Sequence, residues 1–181
     1  MDNFVVPKWY EGDGVTFEGV PGQSIPDKVD LIFTCPPYFD LEQYTDNPSD
    51  ISNMPFRDYL SAIDKFARKA FRCLAFNRFA VVVMGDVRDK DGHCRDLVGI
   101  TKESMIAAGF MLYNEAVLLT AIGSLPVRVG RQFTSGRKLG RAHQHVLVFY
   151  KGDPAKIKLA FPSEIECGDL AGLLGGDEDD G

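Results

Sequence analysis

Residues 34–38, Thr34-Cys35-Pro36-Pro37-Tyr38, carry the most specific chemistry in this sequence. They follow a short apolar run, residues 29–34 (VDLIFT), entered from a Pro-Asp-Lys turn. Its length and its stops predict a buried strand. Two adjacent prolines cannot continue a strand ladder, and their fixed φ makes a stiff, extended exit. In an open α/β sheet the carboxyl edge of the strands is where ligands bind. Carbonyls of the Pro-Pro turn then lack ladder partners and face the cleft, and Tyr38 beside them offers a flat ring. Carbonyl acceptors at a base edge plus a stacking ring form a receptor for a planar heterocycle bearing an exocyclic amine. The plainer alternative is a strand that simply ends at Pro-Pro, with Cys35 as a small buried hydrophobe.

A second group is basic. Arg128, Arg131, Arg137, Lys138 and Arg141 are interleaved with Gly123, Gly130, Gly136 and Gly140, and no Asp or Glu occurs from 116 to 151. Such a stretch can track a phosphate backbone, with Gln132 and Phe133 in reach of base edges. The competing reading is a surface segment whose cations only solubilise. Net charge supports the first only when it is divided. The chain totals −6, but residues 1–152 are balanced and the whole excess lies from Asp153 onward. The remaining polar candidates are weaker. Asp86 ends the apolar run VVVMGD at a neighbouring strand edge, inside a charge-dense segment of the kind that is more often solvated surface. Asp13 in Glu-Gly-Asp has the local alternative of a turn aspartate bonded to its own backbone. His143 and His145 have no Cys or Asp at ligand spacing, so they read as local hydrogen-bonding groups and no metal site is predicted.

The elements that must position these residues follow from periodicity. Residues 53–74 repeat apolar side chains at three- and four-residue steps and predict a helix. Residues 79–84 predict a second buried strand, and residues 95–108 a second helix closed by Gly109. Residues 110–120 and 145–150 predict two further strands. Strands alternating with helices of this length indicate an open α/β sheet. Residues 121–144, rich in Gly and Arg, read as a long functional or mobile loop. Residues 1–160 are expected to form one domain, and 161–181 an acidic tail whose Gly/Asp composition predicts disorder.

With these residues in place, the chain resembles the S-adenosylmethionine-dependent DNA methyltransferases that act on the amino group of adenine or cytosine. Their motif is Asp/Asn/Ser-Pro-Pro-Tyr, here Cys35-Pro36-Pro37-Tyr38. Upstream, Tyr10-Glu11-Gly12-Asp13 and then VDLIFTCPPY match the family's approach to the motif. Downstream, Gly140-Arg141-Ala142-His143-Gln144-His145-VLVFYKG resembles its last strand, so the likeness runs over residues 8–152. It implies a partial Rossmann-like methyltransferase sheet, mainly parallel, with an antiparallel last strand. It also implies that the first motif side chain and the carbonyl of Pro36 accept hydrogen bonds from the target amine, while Tyr38 stacks on the flipped base. Asp13 and Thr34 would lie beside the cofactor. A thiol is a weak acceptor, so the Cys35 variant shifts that work to Pro36; as the nearest isostere of Ser, it tilts the expectation towards cytosine.

The chain departs from the family in one respect. The family holds its methyl donor with a glycine-rich turn after a strand, often Phe-x-Gly-x-Gly, and no such context is legible here. Residues 11–22 contain four glycines but follow no buried strand. A fragment, one subunit of a split enzyme, or a degenerate relative that only binds nucleic acid would each look like this. The VDLIFT strand would then have an uncovered apolar edge, which isolated proteins avoid. A second chain supplying the glycine loop, a copy of the same chain, or residues 4–10 folded back would cover it. The expected partners are DNA and that covering segment. An RNA or small-molecule amine methyltransferase remains open, because basic residues do not distinguish DNA from RNA. No apolar stretch approaches the roughly 20 residues of a membrane span, and the N-terminus has no signal-like apolar region. Four separated cysteines without a Cys-x-x-Cys pair point to a reducing, cytoplasmic setting.

Overall fold

The computed structural model describes residues 7–19, 21, 23, 26–121, 123 and 125–163, without the side chains of Pro126 and Arg128. The expected acidic tail lies almost wholly outside the described residues, as do positions 4–6 of the segment expected to fold back.

Strand β1 (Val29–Thr34) leads through the Pro-Pro turn and a 3-10 turn at Ile51–Asn53 into helix α1 (Phe56–Cys73). The helix buries Tyr59, Ala62, Ile63, Phe66, Ala67 and Ala70, one stripe at three- and four-residue spacing. Burial of each large member contributes roughly 1.5–3 kcal/mol. No glycine ends α1. Instead its orphan carbonyls are taken by two ammonium groups: Lys28 donates to Arg72, and Lys151 to Phe71 (2.5 Å) and Leu74 (2.6 Å). Leu74 is already extended, so β2 (Leu74–Met84) starts at once, five residues earlier than its apolar pattern predicts.

Beyond β2, the charged segment forms a small hairpin of β3 (Val87–Arg88) and β4 (Cys94–Arg95). Helix α2 (Leu97–Ala107) follows, with Asp96 at its N-cap accepting from Gly99 N–H at 2.7 Å. Gly109 ends it at φ +110, where a Cβ would lie 2.9 Å from the Phe71 ring. Strand β5 (Met111–Leu119) then leads to helix α3 (Leu125–Gly136), β6 (His143–Lys151) and a one-turn helix α4 (Ile157–Ala160). Helix α3 corrects the loop expected over 121–144. Its glycines and proline are poor helix formers and conceal it from propensity.

The main sheet has the order β1-β2-β6-β5. β1 and β2 pair in parallel, and β6 runs antiparallel between β2 and β5. Three strands therefore share one direction and the last strand in the chain is reversed, which is the partial methyltransferase-type sheet expected. Helices α1 and α2 cover the face bearing Ile32, Ala80, Val82, Met84, Leu147 and Phe149. On the opposite face α4 brings Phe161 to within 5.5 Å of Phe79, while Leu31 and Phe33 are 58% and 65% exposed. Among the described residues nothing pairs with the outer edge of β1. No described helix is long and apolar enough to cross a membrane.

Candidate functional site

The carboxyl end of β1 opens on a cavity of about 320 Å³, lined by residues 13–15, 34–37 and 49–51 and by Ala62, Ile63 and Phe66 of α1. The cavity thus joins Asp13, Thr34, Cys35, Pro36 and Pro37, which lie in two separate stretches of sequence. The Asp13 carboxylate also builds its own turn, its Oδ1 accepting from the N–H groups of Val15 and Thr16, both at 2.7 Å. The turn role and the cavity position therefore coexist. Asp50 had no signal of function beyond its type, which suits the cap of a following turn. It caps Ile51–Asn53 through Ser52 N–H (3.0 Å) and also accepts from Thr45 N–H (3.0 Å). Those bonds, Ser52 first, hold its carboxyl below the ordinary value. Two carboxylates on the rim and an aliphatic and aromatic floor suit a ligand that is part cationic, part apolar.

The carbonyls of the motif are not equivalent. Tyr59 on α1 donates its hydroxyl to Pro37 at 3.0 Å, and the Leu41 N–H donates to Tyr38 at 3.3 Å. Among the described residues no hydrogen bond reaches the Pro36 carbonyl. It is a motif acceptor left for a ligand. Tyr59 went unrecognised in the sequence because its spacing marks only a core position; the hydroxyl at its far end becomes informative once α1 is docked. Cys35 is exposed and carries a free thiol.

Tyr38 stands outside the lining of the cavity. Its ring packs against Gly85 just beyond β2, where a Cβ would come within 3.2 Å of Cε2. Burial first, then the neighbouring Cys35, Glu42 and Tyr44, push its phenol up to about 12. Burial moves Tyr59 to about 12 as well. Both rings are neutral at physiological pH, so the site presents dipoles and a ring face rather than a phenolate.

The basic residues are divided. The side chain of Arg128 lies outside the described residues. Arg131 projects from exposed α3, and Arg137 folds back on it, donating to the Phe133 carbonyl at 3.2 Å. Lys138 reaches the β3–β4 hairpin, its Nζ 2.8 Å from the point a Cβ on Gly92 would occupy. Arg141 is anchored: it donates to the Asp86 carbonyl, pairs with the Asp86 carboxylate at 3.4 Å and lies 3.6 Å from Cys94 Sγ. His145 bonds Glu115 through Nδ1 at 2.8 Å, and Lys102 bonds the same carboxylate at 2.8 Å. Among the described residues no group of three His, Cys, Asp or Glu side chains is placed to hold a metal.

No protein-family model and no curated protein sequence matches the chain. Solved structures do. A protein of Thermus thermophilus assigned as a DNA modification methylase, complexed with S-adenosyl-L-methionine, is 20% identical with a TM-score of 0.51, over 72% of this chain and 49% of that one. The cytosine-N4-specific PvuII DNA methyltransferase is 20% identical with a TM-score of 0.51, over 83% of this chain and 57% of that one. At these identities the likeness is one of fold, and the fold is that of methyltransferases. The chain spans about half the length of these structures.

Proposed function

We propose that this chain is the target-amine half of a DNA methyltransferase that transfers a methyl group from S-adenosylmethionine to an exocyclic amine, with cytosine preferred over adenine. The observation that carries this reading is the Pro36 carbonyl, which accepts no hydrogen bond among the described residues. It lies just beyond β1, two residues before Tyr38, in the lining of a cavity shared with Asp13. Pro36 accepts an amine N–H, which raises electron density on nitrogen as it becomes the nucleophile. Tyr38 holds the base by its ring face. Catalysis by such groups is positioning and electrostatics, with no covalent protein intermediate. The thiol of Cys35 adds little as an acceptor. Its likeness in size to serine, together with the cytosine-N4 specificity of the PvuII enzyme, favours cytosine.

The cavity's donor set fits the cofactor in part. Asp13, Thr34 and Asp50 would hold it at the rim and Ile63 and Phe66 at the floor; the cofactor supplies an electrophilic methyl on a cationic sulfur. Among the described residues one glycine, Gly14, lines the cavity with open space at its Cβ position, but the strand-then-glycine turn through which the family holds the cofactor is not present. A second polypeptide segment carrying the glycine turn therefore completes the site. The unpaired outer edge of β1, with Leu31 and Phe33 exposed beside it, is where that segment adds.

Calorimetry with S-adenosylmethionine and light scattering on the purified chain test this in one preparation. Feeble cofactor binding together with self-association is expected. Co-expression with a glycine-turn polypeptide should restore methyl transfer to DNA. Micromolar cofactor binding by a clean monomer would overturn the partner requirement, and labelled methyl appearing in RNA but not DNA would overturn the substrate.

A further inference from the structure

Asp86, Arg88, Leu139, Gly140, Arg141 and His143 enclose a second cavity, of about 350 Å³, on the same edge of the sheet. It neighbours the Tyr38 ring: Gly85 lies under that ring, and Asp86, the next residue, is in the wall. Two guanidinium groups and an imidazole face a single carboxylate there, and that carboxylate is already engaged. Asp86 accepts from Val98 N–H at the start of α2 (3.0 Å) and pairs with Arg141.

We infer that this cavity is a phosphodiester subsite, seating a backbone phosphate near the base held by Tyr38, with Arg141 as its fixed donor. Asp86 and Cys94 hold Arg141 from two other elements. Its planar fork is thus oriented before a ligand arrives, and N–H groups not used by those contacts remain for a phosphate oxygen. Arg88 is held less firmly, by one bond to the Gly92 carbonyl at 3.0 Å. Pre-orientation lowers the ordering cost of binding and separates Arg141 from the loose cations of α3. The nucleic-acid identity of the ligand rests on the function proposed above; the anion site itself rests on the cavity.

The test compares Arg141→Ala and Arg141→Lys with the unaltered chain, in binding to a fluorescein-labelled DNA duplex across a salt series. The alanine variant should lower the slope of log affinity against log salt by about 0.9, one phosphate contact on duplex DNA. The lysine variant keeps the charge but lacks the fork, so it should recover only part of the affinity. Complete recovery by lysine, or an unchanged slope with alanine, would reduce the site to diffuse charge and overturn the inference. Inorganic phosphate is titrated in parallel, with the Arg141 guanidinium followed by nitrogen NMR. If the unaltered chain binds phosphate through Arg141 but no duplex, the anion site stands and the DNA reading fails. Silence in both arms overturns the site.

Discussion

A methyl group added at Gly85 would meet the Tyr38 ring at 3.2 Å, whereas one added at Gly130 in α3 would meet nothing within 4 Å. These two glycines capture the difference between the Pro-Pro-Tyr turn and the basic helix. The turn is held by the Tyr59 hydroxyl on Pro37, the Leu41 N–H on Tyr38 and the Gly85 backbone under the Tyr38 ring. The helix is mostly exposed; its Leu125 and Val129 pack back on Gly140, and beyond its end Lys138 and Arg141 tie the segment to its surroundings. A receptor for one heterocycle needs its groups fixed before binding, because orientation is what it contributes. Contact with a polyanion tolerates loose cations, because charge attraction requires no single geometry.

The largest expected break in this contrast is Tyr38→Ala. It should abolish methyl transfer by the completed enzyme and cost about 1–3 kcal/mol of base-dependent binding, the usual worth of one base–aromatic stack. Because the ring also packs on the core, a small drop in the urea midpoint should accompany it. Transfer at the wild-type rate would remove Tyr38 as the stacking platform.

Next is Gly85→Val, whose branched side chain must displace the ring. A loss of about 1–3 kcal/mol in folding stability is expected from overpacking, with weaker base binding at an unchanged salt slope. If base binding survives while stability falls, the ring's seat on Gly85 does not matter to the site.

Alkaline pH loosens the turn in a predictable direction. Tyr38 and Tyr59 keep their protons up to about 12 in the folded chain, against an ordinary value of 10.0. Below 10 both forms are neutral and stability does not depend on them. Between 10 and 12 the unfolded chain ionises while the folded one does not, so stability falls as pH rises through that window. Urea midpoints taken at about pH 9 and about pH 11 should show this fall, and Tyr59→Phe should reduce it. An equal fall in that variant would rule out Tyr59 as a source.

The smallest effect is expected on the loose side. Gly130→Ala should stabilise α3 by about 0.5–1 kcal/mol, the ordinary helix preference, and leave cofactor and base binding unchanged. Helicity by circular dichroism and the thermal midpoint would measure it. A loss of stability would mean that α3 is packed against something more than its own turn.

The run VDLIFT, the Pro-Pro stop and the stripe on α1 announce a strand, a sharp exit and an amphipathic helix by local chemistry alone, and all three form. Helix α1, however, starts at Phe56 rather than Asn53. The strand expected to be buried buries only Ile32, since nothing among the described residues covers its other face or its outer edge. Helix α3 was not announced, since Gly130 and Pro126 argue against it residue by residue. The early start of β2 was hidden for another reason: the α1 carbonyls are capped by Lys28 and Lys151, which lie far from them in the chain. The same limit applied to the site. The sequence singled out Cys35-Pro36-Pro37-Tyr38 and the basic stretch as candidates for an amine-bearing base and for phosphate, and through the resemblance it added Asp13 as a candidate cofactor contact. Only the tertiary structure distinguished the occupied Pro37 carbonyl from the unengaged Pro36, brought Asp50 to the cavity rim, and separated anchored Arg141 from exposed Arg131. Residue type determines what a group can bond. Which bonds remain open depends on what the fold has already brought against it.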